Sequence, residues 1–286
     1  MPSSAIFKTP ERKARFVAAY DAALSLWPAP YELIYAPTRF GRTHVVASGP
    51  PAAPAVVLLH GVLAGATMWY PQVAELSRHF RVYAVDILGD VNKSEPVNLP
   101  GTKAQAAEWL ASVFDVLNIV QAHIVGISFG SFVALNFAIH APARVRKIVV
   151  MAPAACFAPY TARFLAYTIS TALSRHPIQS VLRWAVAKGN VVDSPVIDQM
   201  AAALKFGQMR AKVIPGVFSD AELRRVVAPT LLMVGDQEVC CDPQATVTRA
   251  RRLIPNVETE IVPRAGHLLS MEQPERVNAS ILRFLR

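Results

Sequence analysis

The chain has only three cysteines in 286 residues. Cys156, Cys240 and Cys241 offer no disulfide framework and no zinc-ligand spacing. That excludes a stapled secreted scaffold and a zinc-ribbon class, and it fits free thiols in a reducing compartment. No uncharged apolar run approaches the ~20 residues that cross a bilayer as a helix. The stretch from Met1 to Ile6 lacks the apolar core of a secretion signal, so the expected location is cytoplasmic. Charged residues make up 17% of the chain against 53% hydrophobic, which excludes a disordered polypeptide. Lys and Arg outnumber Asp and Glu by 29 to 20, for a net charge of +9. The excess is scattered: Lys8, Arg12, Lys13 and Arg15, then Arg144, Arg146 and Lys147, then Arg249, Arg251 and Arg252. With no long basic run and no nucleic-acid motif, it reads as a solvated surface. Repeats and low-complexity tracts are also absent. The length suits one large domain carrying an insertion.

What the chain does have is centred on Ala122 to Ile139, AHIVGISFGSFVALNFAI. Ile124 and Val125 open it as a buried strand, and Val133, Ala134, Phe137 and Ala138 close it at the spacing of an inner helix face. Gly126-Ile127-Ser128-Phe129-Gly130 lies between them, a strand-turn-helix G-x-S-x-G pattern known as a nucleophile elbow. A reversal over one residue strains that residue. It also crowds the neighbours two positions away unless they lack a Cβ. The strain presents Ser128 Oγ and leaves the Phe129 N–H at a helix N-terminus, where negative charge is favoured.

Taken in order, Thr9 to Trp27 predicts an amphipathic helix with Phe16, Tyr20, Ala23, Leu24 and Trp27 inward. Tyr31–Tyr35 and Thr43–Ser48 predict a hairpin turning at Arg39-Phe40-Gly41. Val56–Leu59 predicts a strand buried on both faces. It leads into His60-Gly61-Val62-Leu63-Ala64-Gly65, which has neither G-x-G-x-x-G nor a Gly-Lys-Ser/Thr ending, so a dinucleotide or P-loop site is excluded. Further strands are expected at Arg81–Val85, Val145–Met151, Pro229–Val234 and Glu258–Val262. Helices are expected from Pro71 to about Arg78, over Thr102–Leu117 and over Pro274–Leu285. This alternation predicts an α/β fold with a mostly parallel sheet covered on both faces. The rhythm breaks from Ala154 to Val227, where helical runs replace strands: Phe157, Tyr160, Phe164 and Tyr167, then Val181, Leu182, Trp184 and Val186, then Met200, Leu204 and Phe206. Pro177, Pro195 and Pro215-Gly216 punctuate them. The expected division is a core of residues 1–153 and 228–286 with a helical cap insertion at 154–227.

A serine needs a base to take its proton, and the base needs a third group to hold it. The loops after the two last strands read Gly235-Asp236-Gln237-Glu238 and Arg264-Ala265-Gly266-His267. They give the order serine, acid, histidine at the strand ends where parallel α/β sheets carry their sites. His267 is the expected base. Asp236, Glu238 and Asp242 are the acids within reach of that role. Asp242 reads as the cap of the next helix with Pro243 in its first turn, and Asp236 as a bonder of loop amides. The other histidines (His44, His79, His123, His140, His176) have no partner spacing and are read as structural.

The elbow, His60-Gly61, the Gly-x-x-acid loop and Gly266-His267 resemble the α/β-hydrolase superfamily. TRFGRTHVVASGP, TMWYPQVAE, YAVDILGDVNKS, GDQEVCCDP and AGHLLSMEQP are similar, within it, to bacterial esterases of the carboxylesterase NP (naproxen esterase) type. The likeness covers nearly the whole chain and is weakest in the cap; Ser131 departs from a glycine common after the elbow. The resemblance implies an α/β-hydrolase fold and cofactor-free hydrolysis of hydrophobic, often arylpropionate-type, carboxylic esters. It implies Glu238 as the acid, since hydrolases of this arrangement place it three positions past the glycine. The catalytic set is then Ser128, Glu238 and His267. Val62 and Phe129 lend their N–H groups to an oxyanion hole, and His60 steadies the loop. Trp69, Tyr70 and Leu268, with aromatic cap residues, are expected to line the substrate pocket, and no metal is expected. The expected partner is a small hydrophobic ester, with no nucleic acid, no membrane span and a homodimer as the assembly allowed for. A C–C bond hydrolase, lactonase or thioesterase shares these residues and stays open. So does a ligand-binding protein of this fold without turnover.

Overall fold

Strands that are apolar on both faces must be covered on both sides, and the way this chain covers them fixes where its loops meet. The computed structural model describes residues 5–172, 180, 181, 184–192 and 194–286. The elements begin with α1 (Pro10–Leu24), β1 (Tyr31–Thr38), β2 (Gly41–Ser48), β3 (Ala55–Leu59), α2 (Tyr70–Leu76), β4 (Arg81–Val85) and β5 (Glu95–Pro96). Next come α3 (Lys103–Val116), β6 (Ala122–Ile127), α4 (Phe129–His140), β7 (Val145–Met151), α5 (Ala162–Ala172), α6 (Pro195–Phe206) and α7 (Asp220–Arg224). The chain ends with β8 (Thr230–Gly235), α8 (Pro243–Leu253), β9 (Val257–Val262), α9 (Leu269–Glu272) and α10 (Pro274–Leu285).

The described residues form a nine-stranded sheet in the order β1-β2-β4-β3-β6-β7-β8-β9, with β5 beside β2. β1–β2 and β2–β4 pair antiparallel, and every pairing from β4 to β9 is parallel. Side chains alternate between the two faces, as a period of two requires. Val57, Leu59, Ile124, Ile148, Val150, Leu232 and Val234 join α3, α4 and α8 in one core. Val56, Leu58, Val125, Val149, Met151, Leu231 and Met233 join α1, α2 and α10 in the other. Because the two layers are both apolar, the central strands read as unbroken hydrophobic runs.

Helix starts follow their caps. Thr9 Oγ1 accepts from Arg12 N–H at 3.3 Å and begins α1, and Asp242 Oδ1 accepts from Ala245 N–H at 2.7 Å and begins α8. α1 stops at Leu24, three residues before the expected end, although Trp27 is buried as expected. Between β7 and β8 the described residues form helices and no strand. α5 begins only at Ala162, so Phe157 and Tyr160 precede it, and Phe157 packs in the main core instead of on a cap helix. α6 buries Val196, Ile197, Gln199 and Ala203, while Leu204 is exposed. Of the expected helical run Met200, Leu204 and Phe206, the first and last pack against the core on the α1 side. His176, Pro177 and Leu182 lie outside the described residues. No helix among the described residues is long and apolar enough to cross a membrane.

The closest backbone approach among the glycines is at Gly130, where an added Cβ would fall 1.9 Å from the Leu59 carbonyl oxygen. At Gly216 it would meet nothing within 4 Å. Urea unfolding should therefore show Gly130→Ala losing about 1–3 kcal/mol or more, the range of an overpacked core site. Gly216→Ala should stay within about 0.5 kcal/mol of wild type.

Candidate active site

β6 ends at Ile127, and Ser128 takes φ 53° and ψ −114°, a conformation costing a non-glycine residue of order 1–3 kcal/mol. Its N–H donates to Met151 O at 2.9 Å, so the strained residue is tied to β7. A Cβ on Gly126 would lie 2.4 Å from Gly130 O, which is why bare backbone is needed on both sides of the serine. Ser131 has a structural task of its own. Its hydroxyl lies 2.8 Å from the carbonyl oxygens of Gly126 and Met151 and accepts from Met151 N–H at 3.0 Å, pinning α4 to β6 and β7.

His267 Nε2 stands 2.8 Å from Ser128 Oγ, and its Nδ1 lies 3.0 and 2.9 Å from the two Glu238 oxygens. Glu238 Oε1 also accepts from the N–H groups of Val239 and Cys240 at 2.8 and 2.7 Å. The Glu238 side chain is 3% exposed. Burial alone would raise its carboxyl, but the charge and hydrogen bond of His267 and those two N–H groups hold it below the ordinary value. Burial likewise opposes an imidazolium at His267, yet the neighbouring Cys240 and Glu238 carry its pKa well above the usual imidazole range. Burial pushes the Cys240 thiol up, so Glu238 is the resident anion at neutral pH. Such a chain of groups can take a proton from a hydroxyl and return it. Asp236 accepts from Ala265 N–H at 3.1 Å, and Asp242 caps α8. Neither is hydrogen-bonded to His267.

The loop from His60 to Gly65 passes directly over the serine: a Cβ on Gly61 would lie 3.6 Å from Ser128 Cβ. His60 Nε2 accepts from Ile87 N–H at 2.9 Å, which leaves Nδ1 as the protonated nitrogen, 2.7 Å from Gly61 O. Two buried carboxylates brace the loop. Asp86 accepts from Ala66 N–H at 2.7 Å and pairs with His44 Nδ1 at 2.9 Å; Asp90 accepts from the N–H groups of Leu63 and Val91 at 2.7 Å each. Burial alone would raise Asp86, but His44 and His60 keep it low, whereas burial prevails at Asp90 and lifts it. The Val62 and Phe129 N–H groups have no acceptor among the described residues.

Ser128 and His267 open onto a cavity of about 400 Å³ whose walls include Met68, Phe164, Trp184, Met200, Leu268 and Met271. Leu268 is where the sequence suggested. Trp69 and Tyr70 are not: neither lines the cavity, Trp69 is buried in the core on the α1 side of the sheet, and Tyr70 packs against that core. The 3-10 turn Ala66–Trp69 causes this, because it aims Met68 at the serine and sends the next two side chains behind it.

Several supporting groups were not legible in the sequence. Gln199 on α6 donates to Ala64 O at 2.6 Å and accepts from the Thr67 hydroxyl at 2.5 Å, pegging the loop to α6. Glu272 accepts from Ala187 N–H at 2.7 Å, and from Asn190 Nδ2 and Gly266 N–H at 2.9 Å each. His267 N–H donates to Ala185 O at 2.7 Å. Residues 185–190 are thus fastened to the histidine loop. A glutamate at the end of a four-residue helix gives no periodic signal from which this could be read.

Comparison with known proteins places these features. The model of the alpha/beta hydrolase family matches residues 56–280. The chain is 40% identical over 288 residues to the uncharacterized carboxylesterase nap of Bacillus subtilis (strain 168), covering 99% of this chain and 96% of that protein. It is 41% identical over 285 residues to carboxylesterase YbfK of the same strain, with 98% and 96% covered. The crystal structure of naproxen esterase (carboxylesterase NP) from Bacillus subtilis superimposes with a TM-score of 0.92 at 40% identity, covering 98% of this chain and 100% of that one.

Glu272→Ala should release the segment it holds. Hydrogen exchange at the amides of Ala187 and Gly266 should quicken by about 10- to 100-fold, matching the roughly 1.5–3 kcal/mol of a hydrogen bond to a charged group. Unchanged protection there would show that Glu272 does not carry this contact.

Proposed function

The chain belongs to the alpha/beta hydrolase family, and from that premise we propose that it is a serine carboxylesterase acting on hydrophobic carboxylic esters. The observation that carries the proposal is the unbroken hydrogen-bonded chain from Ser128 through His267 to Glu238 at the floor of an apolar cavity. Its curated relatives at 40% and 41% identity are named carboxylesterases. The division into a core of residues 1–153 and 228–286 and a cap of 154–227 belongs to the same reading, as do a cytoplasmic location and a reaction without cofactor.

Ser128 Oγ attacks the ester carbonyl carbon as His267 Nε2 takes the hydroxyl proton. The carbonyl π electrons move to oxygen, and the N–H groups of Val62 and Phe129 receive the oxyanion, each donor contributing about 3 kcal/mol in sites of this kind. Their lack of other acceptors and the position of Gly61 against Ser128 support that role. His267 then gives its proton to the leaving alkoxide, and the acyl group stays on Ser128. Water repeats the sequence, with His267 taking its proton, and the carboxylic acid leaves. Glu238 holds the Nδ1–H tautomer and stabilises the imidazolium formed in each half. The apolar walls favour an acyl group of hydrophobic, ring-bearing character, in keeping with the name of the naproxen esterase neighbour.

A fluorophosphonate probe should label wild type stoichiometrically and leave Ser128→Ala unlabelled; an unlabelled wild type would overturn the esterase. Steady-state assays with p-nitrophenyl esters should show Glu238→Gln losing kcat on the order of 10⁴-fold, as loss of the histidine's acid partner does elsewhere. Asp236→Asn should change far less, and the reverse ranking would move the acid to Asp236.

The pH profile follows from the raised His267 pKa. The base must be neutral to accept a proton, so kcat/KM should be high above that pKa and fall as pH drops through it. The acid limb should lie above about 6.5, the ordinary imidazole value. In Glu238→Gln it should move to lower pH, since the anion that favours the imidazolium is gone.

A further inference from the structure

Esterase chemistry leaves one neighbour of the Glu238–His267 pair unused. Glu238 Oε1 folds back onto the N–H of Cys240, two residues on, and Cys240 itself is buried beside the pair on the cavity wall. One ligand atom each from Glu238, Cys240 and His267 lies within 4.8 Å of the others, and among the described residues no other such group of three is found. The donors are sulfur, nitrogen and oxygen. That mixture suits a thiophilic divalent ion such as Zn²⁺ or Cd²⁺ and discriminates against Mg²⁺, which prefers oxygen and retains water.

Bond lengths of about 2.0 Å to nitrogen or oxygen and about 2.3 Å to sulfur set tetrahedral ligands roughly 3.3–3.6 Å apart. Glu238 and His267 Nδ1 already stand 2.9 Å apart. The thiol, within 4.8 Å of both, has to close by about 1.3 Å at most, within the scope of a side-chain rotation. Charge also balances: a carboxylate and a thiolate neutralise a divalent ion in a place where an uncompensated charge is costly.

We propose that Glu238, Cys240 and His267 form an inhibitory site for a thiophilic divalent cation. The proposal rests on the esterase reading for its inhibitory effect, though not for binding. The ion takes the position of the proton between His267 Nδ1 and Glu238. On binding, the Cys240 thiol loses its proton to solvent, and the single imidazole proton passes from Nδ1 to Nε2. Nε2 then faces Ser128 as a donor and has no lone pair to accept the hydroxyl proton. The metal and the active tautomer exclude each other.

Two measurements test this. In p-nitrophenyl ester assays, Zn²⁺ should inhibit wild type, a chelator should restore it, and Mg²⁺ should have no effect. Relative to each variant's own metal-free rate, Cys240→Ala should raise the Zn²⁺ concentration for half-inhibition at least about tenfold, since even outer-shell partners of a metal are worth that much. Cys241→Ala should keep the wild-type value. Separately, Co²⁺ added to Ser128→Ala should give a near-ultraviolet thiolate-to-cobalt charge-transfer band that is missing from Ser128→Ala/Cys240→Ala. Equal Zn²⁺ sensitivity in wild type and Cys240→Ala, or a cobalt complex without that band, would overturn the site. A wild type that neither labels nor hydrolyses esters would instead sink the esterase reading, and the cobalt measurement would still decide the metal site.

Discussion

The carbonyl oxygen of Leu59 occupies the place where a side chain on residue 130 would begin, and the rest of the site depends on that contact. It brings the start of α4 against the end of β3. The strained Ser128 between β6 and α4 is thereby held under the His60–Gly65 loop that leaves β3. Were the helix set back by even a methyl group, the Ser128 hydroxyl and the N–H groups of that loop would separate. The local cost at Ser128 is met by ties on either side: its own N–H to Met151 and the Ser131 hydroxyl to Gly126 and Met151.

A second layer of buried polar groups holds the loop in register with the serine. Asp86, Asp90, His44 and His60 are all buried, and each carboxylate accepts from backbone amides of the loop it supports. Leu63 has φ 64°, unusual for a branched residue, and its N–H is bonded to Asp90. Buried carboxylates are costly unless satisfied, so this arrangement is stable only with every donor present. That explains why so short a loop is backed by two buried carboxylates.

Most of the scaffold was legible because its signals are local. β4, β7 and α10 begin and end where apolar runs, turns and caps place them, and Ser128 lies between a strand and a helix that each declare themselves. The residues alone left Asp236, Glu238 and Asp242 open, the family resemblance pointed to Glu238, and Glu238 is the one hydrogen-bonded to His267. Trp69 and Tyr70 misled because a 3-10 turn rotates successive side chains by more than an α-helix does, so the aromatics nearest in sequence to the serine loop face the core. On α6, Gln199 is drawn inward by hydrogen bonds to Ala64 and Thr67, while Met200 and Leu204 line the cavity. Periodicity registers burial against the core and is silent about burial against a ligand space.

The segment between β7 and β8 does more than supply walls of the cavity. Gln199 pegs the loop on one side of Ser128, and residues 185–190 are bonded to the loops of Glu238 and His267 on the other, through Glu272, Ala185 O and the contact of Lys188 N–H with Gln237. A Cβ on Gly266 would lie 2.3 Å from Ala185 O, so the two segments touch backbone to backbone. Any displacement of residues 185–190 must move the histidine loop too or break a charge-assisted bond worth roughly 1.5–3 kcal/mol. The cavity wall and the position of His267 are then mechanically coupled. A change in residues 185–190 therefore bears on the position of His267 as well as on the cavity wall.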